Sequence, residues 1–76
     1  MNQVNVDNAM NEAISLLGLD MAIFAEDGEI CLSVVEEDAK KLEKVLYRND
    51  IDFVKERDGW VVNYIFAGEY DDGMED

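Results

Sequence analysis

Residues 51–67 read IDFVKERDGWVVNYIFA, and this stretch decides the fold. Asp58-Gly59 sits between two runs rich in Val, Ile, Phe, Trp and Tyr, and an Asp-Gly pair flanked in this way is a strong hairpin signal. A two-residue type I′ turn there pairs Arg57 with Trp60, Lys55 with Val62, Phe53 with Tyr64 and Ile51 with Phe66. Side chains alternate with a period of two along a strand, so these eight share one face. Asp52, Val54, Glu56, Val61, Asn63 and Ile65 share the other. The first face is richer in large apolar groups and is expected to meet the core.

Upstream, residues 20–25 (DMAIFA) and 29–34 (EICLSV) flank Asp27-Gly28, the same turn chemistry. Pairing across this turn sets Met21, Ile23 and Ala25 opposite Val34, Leu32 and Ile30 as a core face. Ala22, Phe24, Cys31 and Ser33 lie on the reverse, and Glu26 directly faces Glu29 at the tip, a mildly destabilising like-charge pair.

Each hairpin is preceded by a helical pattern. Asn5 or Asp7 is expected to cap the first helix, with Met10, Ala13, Ile14 and Leu17 as its buried stripe, Gly18 as its left-handed end and Leu19 folding back on Ile14. In the second, Val35, Ala39, Leu42, Val45 and Leu46 form the stripe. Its acids Glu36, Glu37 and Asp38 come first and its bases later, as the helix dipole favours. Glu36 with Lys40 and Glu37 with Lys41 form i, i+4 pairs, and Asn49 is the expected terminator.

The fold class is therefore α+β, in the order αββαββ: a four-stranded, mainly antiparallel sheet with two helices packed on one face. A circularly permuted ferredoxin-like arrangement is one way to connect it. The Asp-Gly turns lie 31 residues apart, which suggests an αββ repeat. Aligning the turns sets core-facing Ile30 on outward-facing Val61, however, so a strict repeat conflicts with the faces. Residues 1–68 form a single domain, and residues 69–76 read as a solvated acidic tail.

Of the chain's 76 residues, 19 are Asp or Glu and six are Lys or Arg, giving a net charge of −13. The charge is segregated: residues 1–39 carry −9 and residues 58–76 carry −6, neither with a single base, while residues 40–57 carry +2. Such a field repels nucleic acid, phosphorylated substrates and anionic lipid, and speeds encounter with a basic partner. Direct nucleic-acid and membrane binding are thus disfavoured. A lone Cys31, a first segment without a secretory pattern and the absence of a long apolar run make the expected location cytoplasmic.

The chain has no histidine and no glycine-rich phosphate loop, and Cys31 has no basic neighbour in sequence, so no enzyme, catalytic residue or cofactor is expected. Asp71, Asp72 and Glu75 lack the alternating acids of a calcium loop, so no metal site is expected either. Trp60 admits two roles, a cation–π partner of Arg57 or an exposed anchor in an interface.

Two functions fit these features. The first is an acidic, non-catalytic module that docks on a basic surface of a larger protein, such as a nuclease or DNA-binding protein. It would occlude that surface as a nucleic-acid mimic, as small acidic phage-encoded inhibitors of restriction or CRISPR nucleases do as a class. Glu26, Asp27, Glu29, Asp71 and Asp72 would supply the charge. The second is a homodimer or chaperone-like adaptor that associates through the open sheet face, with Phe24, Val54, Val61 and Ile65 exposed on it.

Overall fold

The computed structural model describes residues 3–68, with side chains from Val6 onward. The order is α1 (Gln3–Asn11) ending in a π-turn (Glu12–Leu16), β1 (Met21–Glu26), β2 (Glu29–Val35), α2 (Glu36–Arg48), β3 (Val54–Asp58) and β4 (Val61–Ala67). The four strands form one sheet in the order β1-β2-β4-β3, each neighbouring pair antiparallel. The chain passing from β2 through α2 to β3 steps over β4, a split βαβ connection and the order of the permuted arrangement. Among the described residues, no helix is long and apolar enough to cross a membrane.

The first hairpin forms in the expected register, with Asp27 (φ 51) and Gly28 (φ 79) both at positive φ as a type I′ turn requires. The second turns one residue later than expected, at Gly59-Trp60, with Asp58 opposite Val61. Gly59 has φ +64 whereas Trp60 is not at positive φ, which is the type II′ pattern. Arg57 consequently faces Val62 and Lys55 faces Tyr64, a register shift of two. A shift of two preserves the faces, so Val62, Tyr64 and Phe66 are buried as expected. Ile51 and Phe53 fall outside the ladder.

This register fits what lies on both sides of the hairpin, and its contacts with α2 select it. Against β2 it aligns Ile30, Leu32 and Val34 with Phe66, Tyr64 and Val62, all buried. Against α2 it carries Lys55 to Glu43 (2.6 Å) and Arg57 to Glu36 (2.8 Å). Glu36, expected to pair with Lys40, is taken by Arg57 instead. The Trp60 carbonyl also accepts the Glu36 N–H at 2.9 Å, satisfying a free donor at a helix start that has no side-chain cap. Two inward-pointing cations on a short edge strand further guard β3 against pairing with another chain.

The core joins the inward strand residues to Val6, Ala9, Met10 and Ala13 of the first helix and Ala39, Leu42, Val45 and Leu46 of α2. Asn5 and Asp7 lie inside α1 rather than capping it. Ile14 and Leu17, expected in the stripe, are exposed at 42% and 44%. Leu17 N–H reaches the Glu12 carbonyl five residues back, and this extra residue in the ring rotates the last side chains of the helix about its axis, away from the core. Gly18 still ends the helix at φ +66, and Leu19 is buried.

The second helix ends in a Schellman motif, with Ile51 N–H on the Leu46 carbonyl and Asp50 N–H on the Tyr47 carbonyl, each at 3.0 Å. Asp50, not Asn49, takes the left-handed position (φ 62). Asn49 donates instead from its side chain to the Val45 carbonyl (2.9 Å) and to Glu12 (3.3 Å), and Glu12 also pairs with Arg48.

Candidate protein-binding face

Both helices pack on one side of the sheet, and none of the described elements covers the other. Pleating assigns to it Ala22, Phe24 and Glu26 of β1; Glu29, Cys31, Ser33 and Val35 of β2; Val61, Asn63, Ile65 and Ala67 of β4; and Val54, Glu56 and Asp58 of β3. Strand register sorts these residues into rows across the sheet. Phe24, Cys31, Ile65 and Val54 form an apolar row through all four strands. Beside it runs a polar row of Ala22, Ser33, Asn63 and Glu56, in which the Ser33 hydroxyl donates to Asn63 Oδ1 at 2.5 Å. Glu26 and Glu29 close one end of the face, and Val35, Val61 and Asp58 the other.

Charge divides between the two sides of the sheet. Glu26, Glu29, Glu56 and Asp58 point to the open face, where no Lys or Arg is found. Every base lies on α2 or on the helix-facing side of β3. Three of them are engaged there: Arg48 by Glu12, Lys55 by Glu43 and Arg57 by Glu36, which raises the Arg57 pKa. Glu43 is the centre of this network, since it also accepts the Tyr64 hydroxyl at 2.7 Å. Its carboxyl is held below the usual 4.5, chiefly by the Lys55 hydrogen bond and then by that of Tyr64. Burial, assisted by the Glu43 carboxylate, pushes the Tyr64 phenol up.

At the β1–β2 tip, Phe24, Glu26, Asp27, Glu29, Ile30 and Cys31 line a shallow depression of about 430 Å³. Glu26 does stand directly opposite Glu29, and among the described residues no ion pair engages either one or Asp27. Gly68 N–H ties this tip to the end of β4 through the Gly28 carbonyl at 2.8 Å. Phe24 is 60% exposed beside the carboxylates, so an apolar platform and three acids meet at one corner.

Trp60 is at the opposite corner. It sits in the turn, not across from Arg57, and is 85% exposed beside Val35, Glu36 and Glu37. Its expected strand partner Arg57 faces Val62 instead. Phe24, Val54, Val61 and Ile65 do share the open face. Asp71, Asp72 and Glu75 lie outside the described residues. What the sequence did not reveal is the polar row and the Glu43 network, both of which depend on the pairing of distant strands. Among the described residues no group of three acid or cysteine side chains is placed to hold a metal. No family model, curated protein or solved structure matches the chain.

Proposed function

We propose that this chain is a non-catalytic, cytoplasmic protein-binding module that docks its open sheet face on a basic surface of a larger protein, occluding the nucleic acid that surface would otherwise hold. The supporting observation is the segregation of charge. Four carboxylates and no cation stand on a rigid sheet face, while the bases are turned to the helical side. Outward side chains on one strand repeat at about 6.8 Å and neighbouring strands lie about 4.8 Å apart, so the sheet fixes its carboxylates for basic side chains selected to receive phosphates.

The test is made on the partner that co-purifies from the native host. Its complex with this chain should weaken steeply with salt and should compete with nucleic acid for the partner. A complex indifferent to salt that leaves nucleic-acid binding by the partner intact would refute occlusion.

The apolar row favours a second reading, a homo-oligomeric or chaperone-like adaptor that buries this face against another copy or a client. Self-association sets acid against acid, since each copy brings four carboxylates and no base to the contact. Sedimentation at roughly 1 M salt, where screening falls to about 3 Å, separates the two. A dimer there, lost on Phe24→Asp, would favour the adaptor.

A further inference from the structure

Trp60 is the most exposed of the large apolar side chains among the described residues, yet its backbone is fixed. It occupies a two-residue turn between paired Asp58 and Val61, and its carbonyl is hydrogen-bonded to the first residue of α2. A bulky aromatic with only two side-chain torsions, presented from a fixed backbone, gives up little conformational freedom when something packs on it, which is the condition for an interface anchor. The indole shares a depression of about 500 Å³ with Val35, Glu36 and Glu37. Glu36 is engaged by Arg57, whereas among the described residues no ion pair takes Glu37. Aromatic face, aliphatic wall and carboxylate are the three surfaces that a guanidinium on its methylene stem matches: ring over cation, stem on the valine, N–H groups on the acid. A phosphate or an anionic lipid headgroup meets a net negative corner here.

Resting on the acidic-face reading above, we infer that the Trp60 depression seats an arginine side chain of the basic partner, as a second anchor at the end of the face opposite Phe24. The α2 N-terminus contributes about half a positive charge to this corner. Glu36, Glu37 and Asp38 in its first turn exceed that charge, leaving the corner attractive to a cation. Arginine is preferred over lysine because a planar guanidinium stacks on the indole while keeping its hydrogen bonds in the ring plane.

Trp60 is the chain's one tryptophan, so its fluorescence reports this site directly. The folded chain is titrated, at about physiological ionic strength, with a short arginine–glycine peptide and with the same peptide carrying lysine or the neutral isostere citrulline. Expected are a saturable change in Trp60 emission with the arginine peptide, a several-fold weaker response to lysine, and none to citrulline. By calorimetry, Trp60→Ala should weaken binding about tenfold and Glu37→Gln several-fold, while Leu16→Ala, 74% exposed on the helical side, leaves it unchanged. Circular dichroism melts confirm that each variant folds. Arginine-peptide binding that is equally tight in Trp60→Ala, with emission unmoved in the parent, overturns this seat and leaves docking by the acidic face standing. An equal response to citrulline also overturns it, by making the depression merely apolar. Failure of every basic peptide to bind overturns both.

Discussion

The two αββ halves superpose in sequence at an offset of 32, not 31, once the second turn is placed at Gly59-Trp60. Ile30, Leu32 and Val34 then match Val62, Tyr64 and Phe66, and every one is buried. Left-handed Gly18 matches left-handed Asp50, and buried Leu19 matches buried Ile51. Leu32 and Tyr64 are both equivalents and cross-strand partners, so the pseudo-two-fold axis runs between them. The open face departs from this symmetry. The axis carries the apolar row Phe24, Cys31, Ile65 and Val54 onto Glu56, Asn63, Ser33 and Ala22, the polar row. The same backbone positions therefore accept either chemistry, and the fold does not demand that Phe24 or Ile65 be apolar. Where the halves agree, packing sets the residue; where they differ outward, some other requirement does.

The helices differ more than the strands. Ile51 N–H closes α2 on the Leu46 carbonyl, five residues back, whereas Leu19 N–H closes the first helix on Ala13, six back. That residue is absorbed in the π-turn, so Ala13 takes the buried place of Leu46 and Ile14, which the offset of 32 would match to Leu46, is 42% exposed. Leu46→Ala is expected to cost about 2–5 kcal/mol, enough to unfold much of so small a domain, and Ile14→Ala under about 1 kcal/mol. Urea denaturation measures both. Equal losses would place the two side chains in equivalent environments and remove the π-turn from the description.

The turns sharpen the comparison at the next level of effect. Gly28→Val and Gly59→Val should each cost about 1–3 kcal/mol, since a β-branched residue resists positive φ although open space surrounds both positions. Asparagine separates them. A type I′ turn tolerates it at Gly28, whereas the first position of a type II′ turn favours glycine, so the melting temperature should fall less for Gly28→Asn than for Gly59→Asn. The reverse order would restore Asp58-Gly59 as the second turn.

These turns also mark how far the sequence could be read. Alternation and Asp-Gly chemistry were enough for the class, both sets of faces and the first register. They did not separate Asp58-Gly59 from Gly59-Trp60, because one glycine serves either turn and the choice rests on Glu36 and Glu43, both distant in sequence. The faces survived because the register moved by two residues. The π-turn left no trace in the apolar spacing, and Asp50 was hidden behind the better left-handed former Asn49. The outward positions of Phe24, Val61 and Ile65 and the inward ones of Lys55 and Arg57 were legible from alternation alone; the Glu43 and Glu36 partners that hold those two bases inward were not.

Glu43 belongs to one half only, since ahead of the π-turn the extra residue makes the offset 33 and its counterpart on the first helix is the buried Met10. Its carboxyl has a folded pKa below the ordinary 4.5, chiefly through Lys55, so its contribution is full above that value and is lost as pH falls through the folded one. Glu43→Gln should lower stability by about 1 kcal/mol at neutral pH. Denaturation curves of parent and variant should converge as the pH is lowered below 4.5. A gap that widens in acid would mean that protonation of Glu43 is favoured by folding, contrary to its lysine and tyrosine partners.

The smallest effect on stability is expected where the halves differ most. Phe24→Gln and Ile65→Ser give two positions of the apolar row the polar character of their symmetry mates Glu56 and Ser33, whose backbone environments already carry such side chains. Phe24 is 60% exposed and Ile65 lies on the uncovered side, so together they forfeit only partial burial and cross-strand contact, about 1 kcal/mol or less. Binding should respond quite differently. If the row seats an apolar strip of a basic partner between the carboxylates at its ends, the double variant keeps the steep salt dependence of association and loses a large part of the affinity, mainly through faster dissociation. Kinetic measurements on the double variant and on Glu26→Gln/Glu29→Gln separate the contributions: the first should raise the off-rate, the second lower the on-rate and flatten its salt dependence. A double variant that unfolds would show that the apolar row is structural after all, and the asymmetry of the open face would then reflect packing, not a partner.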